Sequence, residues 1–132
     1  MDERNLTPAQ AAISNANLHF VHAFVGRNID EVANCYTKGG WLFPAHAGVM
    51  CGRLAIQSFW QGVLDMGLCC TERKAVELWS TATIGHEIGT YVLRQRNGQL
   101  ADQGIYITLW QSIAGRWQIH CDIWRSSGAD HR

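Results

Sequence analysis

Gly104-Ile-Tyr-Ile-Thr-Leu-Trp110 and Arg116-Trp-Gln-Ile-His-Cys-Asp-Ile-Trp124, joined across the tight-turn signal Ala114-Gly115, decide how this chain reads. Side chains alternate across a strand. Gln118, His120, Asp122 and Trp124 are therefore expected on one face, and Trp117, Ile119, Cys121 and Ile123 on the other. The second face is wholly apolar. The first sets an imidazole and a carboxylate about 7 Å apart, beside a large aromatic ring.

Working outward, the hydrophobic period changes from helical to strand-like after Gly67. Glu72 to Thr81, Ile84 to Arg96, Asp102 to Ser112 and Arg116 to Arg125 read as four long strands in sequence. Asn97-Gly98 marks a hairpin turn between the second and third. Before Gly67 the pattern is helical. Thr7-Pro8 opens a helix, and Ile13, Ala16, Phe20 and Phe24 recur at helical spacing until Gly26. Asn28-Ile-Asp-Glu31 starts a short second helix that runs through Tyr36 and breaks at Gly39-Gly40. Trp41 to Phe43 and Val49 to Cys51 read as short strands. Arg53 to about Met66 reads as a third helix, with Ile56, Phe59, Trp60, Val63 and Leu64 on its apolar face. The class is α+β, with three N-terminal helices on one face of an antiparallel sheet.

At 132 residues, 1–132 reads as one domain, with its core at about 7–126. Hydrophobic residues make up 47% and charged residues 17%, so the chain can build a substantial core. The net charge is zero and no run of Lys or Arg appears, which argues against a nucleic-acid partner. No apolar run of about 18 residues occurs, which argues against a membrane span. Met1-Asp-Glu-Arg-Asn5 lacks the pattern of a signal peptide. Five cysteines, an odd number, then point to free thiols and a cytoplasmic location. No CxxC, phosphate loop or nucleophile elbow is present, so no cofactor is expected. His19 and His22 lie three apart on a helix, but no third ligand stands at a telling spacing, so no metal site is expected.

Asp122 is the leading candidate for chemistry. A carboxyl desolvated by Trp110 and Trp124 would have a raised pKa and suit general acid–base work, with His120 as its orienter. Glu87 and Tyr91 share a strand face, as do Tyr106 and Trp110. Together with Phe20, Phe24, Phe59 and Trp124 they are expected to line a pocket: few polar groups in an aromatic wall. Such a site fits a small apolar molecule bearing a polar group. His46, in the loop after Pro44, stands within reach of the pocket mouth.

Several motifs together carry a resemblance. They are Tyr36-Thr37, Gly52-Arg-x-Ala-Ile-x-x-Phe-Trp60, Glu87-x-Gly-x-Tyr91, Gly104-x-Tyr-x-x-x-Trp110 and Gly115-Arg-Trp-x-Ile-His-x-Asp-Ile-Trp124. In their order and spacing the chain resembles the nuclear transport factor 2-like superfamily. The similar branch holds the ketosteroid isomerase-like, SnoaL-like and calcium/calmodulin-dependent kinase II association-domain-like proteins. The resemblance implies a cystatin-like cone, in which a strongly curved sheet wraps the helices around a pocket. It also implies homodimers through the outer sheet face, where Ile105, Ile107, Leu109, Ile119, Cys121 and Ile123 are expected. For function it implies either a cofactor-free isomerase or cyclase using proton transfer, or a non-catalytic dimeric binding or association module. Ketosteroid isomerases carry a basic Asp before a Pro at the place where Phe43-Pro44 stands here, and helix one has no Tyr. Their mechanism does not carry over.

Overall fold

A Thr7–Gln10 capping box starts the first helix. The Gln10 amide donates to the Thr7 hydroxyl at 3.1 Å, and the Thr7 amide donates back to the Gln10 side chain at 2.9 Å. The computed structural model describes residues 5–127. Its order is α1 (Pro8–Val25), α2 (Ile29–Asn34), β1 (Tyr36–Phe43), β2 (Met50–Cys51), α3 (Arg53–Asp65), β3 (Leu68–Ser80), β4 (Ile84–Gln95), β5 (Leu100–Ile113) and β6 (Arg116–Ser126). The six strands form one curved, unclosed sheet in the order β2-β1-β6-β5-β4-β3. Every neighbouring pair is antiparallel except β1 and β6, which run parallel. The architecture is the expected α+β cystatin-like one. Among the described residues no helix is long and apolar enough to cross a membrane.

The core lies between the helices and the concave face. Ile13 and Phe24 from α1, Ile56 from α3, and Leu42 and Ile119 from the sheet are fully buried in it. Each such side chain contributes about 1.5–3 kcal/mol. Phe20, Phe24 and Phe59 all meet the Trp60 ring edge-on, at centroid distances of 5.2–5.7 Å. Trp60 in turn stacks on Trp124 at 5.6 Å.

Two places depart from the expected pattern. Helix α2 stops at Asn34, so Tyr36 belongs to β1. Gly39-Gly40 lies inside that strand, where the register against β6 shifts between Tyr36 and Trp41. The glycines mark an irregularity in a strand rather than the end of a helix. The second departure is in β6. Trp110 pairs with Ile119 and Leu109 pairs with Cys121, so His120 is an extra residue. This bulge breaks the strict alternation. Ile119 is buried in the core, on the same side as Asp122, and does not belong to the outer face.

Beyond the bulge the alternation holds. Leu78, Glu87, Thr108, Asp122 and Leu42 stand opposite one another across five strands and form one inward-facing row. The next row is Ala75, Gly89, Tyr106 and Trp124, and after it come Arg73, Tyr91, Gly104 and Ser126. Glycine is required at the middle of this stack. A Cβ on Gly89 would run into the Lys74 carbonyl and the Tyr106 ring. The tyrosine lies over its backbone.

Candidate functional site

A cavity of about 750 Å³ opens between α1, α3 and the concave sheet. Its floor is Asp122, Tyr106 and Phe20, all buried. Its sides are apolar: Phe59, Trp60, Val63, Leu68 and Trp124. Its rim carries exposed residues, among them Met66, Ala47 and Leu100. Residues that the sequence nominated fall into two groups. Phe20, Phe59, Tyr91, Tyr106, Asp122 and Trp124 line the cavity, whereas Phe24, Glu87, Trp110 and His120 do not.

Asp122 is not alone in an aromatic wall. Its Oδ2 accepts from the Tyr36 hydroxyl at 2.9 Å, and its Oδ1 accepts from the Thr108 hydroxyl at 2.8 Å. The Arg73 guanidinium stands 3.7 Å from Oδ1. Every partner is a donor, so the set complements a carboxylate. His120 is not among them: its Nδ1 lies 3.0 Å from the Thr37 hydroxyl. The expected His120–Asp122 pair does not form, because the bulge puts His120 out of step with Asp122.

Arg73 joins the polar groups of the site. Its side chain is 7% exposed. Its Nη2 donates to Thr108 at 2.7 Å and its Nε to Asn17 Oδ1 at 3.1 Å. The guanidinium carbon lies 3.9 Å from the centre of the Tyr106 ring, a cation–π contact. Burial alone would lower its pKa. Asp122, Tyr106, Glu87 and Tyr36 outweigh that and hold it above the ordinary value, so it stays charged.

Glu87 sits two strands from Asp122 in the same row and is sealed off. It accepts from the Tyr106 hydroxyl, from Trp110 Nε1 at 2.9 Å and from Asn17 Nδ2 at 2.7 Å. A third carboxylate stands nearer the rim. Asp102 accepts from the Tyr91 hydroxyl at 2.9 Å and from the Ser126 hydroxyl at 2.8 Å. His46 Nε2 lies 2.8 Å from the same Ser126 oxygen and ties the β1–β2 loop to this cluster. All three tyrosines of the chain thus donate to carboxylates. Burial first pushes each phenol above its ordinary pKa, and the adjacent carboxylate adds to the push. They remain donors at neutral pH.

Sequence reasoning missed two members of this candidate site, Arg73, which lines the cavity, and Tyr36, which holds Asp122 from behind. Glu72-Arg73-Lys74 looks like a solvated charge run, although period-two alternation does set Arg73 apart from its two neighbours. The sequence pattern carries the second helix through Tyr36, which hides that residue's place at the start of β1.

The chain has the nuclear transport factor 2-like fold. Three solved structures carry that conclusion. A protein of unknown function with a cystatin-like fold from Nostoc punctiforme superposes with a TM-score of 0.81 at 12% identity, over 94% of this chain and 96% of that one. An NTF2-like protein of unknown function from Pseudomonas putida gives 0.78 at 16% identity, over 92% and 89%. A candidate calcium/calmodulin-dependent protein kinase II association domain from Xanthomonas campestris gives 0.74 at 17% identity, over 94% of each. No family model and no curated protein matches the chain. At these identities the likeness concerns the fold, which hosts many activities.

Proposed function

We propose that this fold serves here as a small-molecule binding domain, for a largely apolar ligand with one hydrogen-bond-accepting group. The observation that carries the reading is the buried Arg73 at the polar end of an apolar cavity of about 750 Å³. Arg73 spends Nε on Asn17 and Nη2 on Thr108. Its Nη1 has only the 3.7 Å contact to Asp122 among the described residues, and so keeps donor capacity for a carboxylate, enolate or carbonyl. Binding is favoured over proton transfer because both Asp122 oxygens are already occupied by hydroxyl donors. The test is native mass spectrometry against a panel of planar apolar acids, ketones and hydrocarbons. Acids or ketones are expected to bind and hydrocarbons of equal size to bind less. An Ala101→Trp variant, which fills the cavity near its rim, is expected to lose the signal while remaining folded. Equal binding by that variant overturns the reading.

A second reading, association between two copies, has its own support. Ile88, Ile107 and Ile123 stand opposite one another on the outer face of β4, β5 and β6, and each remains exposed. Ile105 and Leu109 extend the patch. A contiguous apolar face of this kind suits a partner. Ile107→Lys is expected to give a monomer by light scattering, and an unchanged dimer in that variant excludes the face. Ile119 does not serve this test, because it lies in the core.

A further inference from the structure

Cys69 and Cys70 hold their sulfurs 2.7 Å apart at the start of β3. Adjacent residues of a regular strand point to opposite faces, so their side chains diverge. Here the ladder slips. Leu68 pairs with Gln95 and Cys70 pairs with Arg94, which leaves Cys69 without a partner in β4. The bulge turns both thiols toward each other. Neither is sealed: Cys69 is half-buried and Cys70 is exposed. The other thiols differ. Cys35 and Cys121 are buried, and exposed Cys51 has the Gly39 carbonyl as its neighbour, at 3.9 Å.

The geometry points to a redox-active dithiol, in which Cys69 and Cys70 close to a disulfide by exchange with a small-molecule disulfide. One cysteine, as its thiolate, attacks a sulfur of the reagent RS–SR. The reagent's S–S bond breaks, and RS⁻ leaves with the electron pair and takes up a proton. The second cysteine loses its proton and attacks the protein sulfur of the mixed disulfide, expelling a second RS⁻. The two cysteine sulfurs are oxidised and the reagent is reduced to two RSH. The hydrogen bond shared with Cys69 holds the proton on Cys70 and pushes its thiol above its ordinary pKa, while Arg94 pulls the other way. Exchange therefore quickens as pH rises. Leu68 and Thr71, on either side of the pair, both line the cavity, so the ring closes at the cavity's own margin.

The test treats the full chain with excess oxidised glutathione, alkylates the remaining thiols and measures peptide masses without reduction. In the wild type, the peptide containing both cysteines is expected to lose two hydrogens and to carry no glutathione. Cys69→Ser and Cys70→Ser are each expected to retain one glutathione, because the resolving thiol is gone. Cys51→Ser is expected to close as the wild type does. Recovery of the wild-type pair fully alkylated, or with glutathione stably attached, overturns the proposal.

Discussion

Glu87 and Asp122 lie in one row of the sheet, two strands apart, with no exposure to solvent, and each accepts a tyrosine hydroxyl. Only Asp122 borders the cavity. The difference comes from what covers them. Asn17 of α1 and the Trp110 indole close over Glu87, so its surroundings are complete within the protein. Above Asp122 stand Phe20, Trp60 and Trp124, which fill the walls but leave the centre open. Near-identical residue chemistry is structural in one place and cavity-lining in the other. The carboxylate itself does not decide which; the helix above it does.

The comparison breaks first at Glu87. Glu87→Ala leaves a phenol and an indole buried without an acceptor, and takes the acceptor from the half-buried Asn17 amide. A loss of about 3–5 kcal/mol is expected in urea unfolding. Where the variant still folds, ligand binding should be unaffected, because Glu87 does not line the cavity. A loss below about 1 kcal/mol would mean that water reaches the cluster and that it is not sealed.

Asp122→Asn should cost less stability, about 1.5–3 kcal/mol, and should also weaken the binding of acceptor ligands. An aspartate desolvated by rings alone would tolerate this change. Here Arg73 stands over it, and the substitution leaves a buried guanidinium without its nearest countercharge. An Asp122→Asn protein as stable as the wild type would remove Arg73 from the account of the floor.

The parts that sequence made legible are those that follow a regular period. Gly104 to Trp110 alternates without a break, and its inward set, Tyr106, Thr108 and Trp110, is buried as alternation requires. The capped start of α1 at Thr7 and the α+β order were legible for the same reason. What was not legible depends on bulges. His120 is one inserted residue, and it exchanges the faces of everything before it in β6. Arg73 is hidden differently. It sits on an edge strand between two exposed charges, and only the tertiary stack of Tyr106 beneath it and Asn17 above it shows why it is buried.

All three tyrosine–carboxylate pairs should act together in alkali. Cys35, buried first of all and beside Glu31, is pushed from 9.0 to about 11, and the tyrosines are pushed above their ordinary 10.0. Folded-state values above unfolded ones favour the protonated native form. The stability they contribute is intact below about pH 9 and is lost as pH rises from there through about 11 and beyond. Phenolate absorbance should therefore appear together with unfolding, in one cooperative step. Gradual ionisation of even one tyrosine in the folded protein would show that its pair is open to water.

The smallest effect is expected at the third pair, nearest the rim. Asp102 is half-buried, and its Oδ1 accepts from the adjacent Gln103 amide at 2.9 Å, a local bond that an asparagine oxygen can also accept. Asp102→Asn keeps the side chain's shape, and the Tyr91 and Ser126 hydroxyls, which accept as well as donate, can take hydrogen bonds from the new amide, so the stability loss should stay near 0.5–1 kcal/mol. Its consequence should be local. Asp102 holds Ser126, and Ser126 meets His46 of the β1–β2 loop, so weakening the first contact loosens the second. Hydrogen exchange at Ala45 to Gly48 should rise while exchange in β5 around Thr108 stays unchanged. If Asp102→Asn instead costs as much as Asp122→Asn, burial does not grade the three pairs, and the distinction between sealed, floor and rim carboxylates fails.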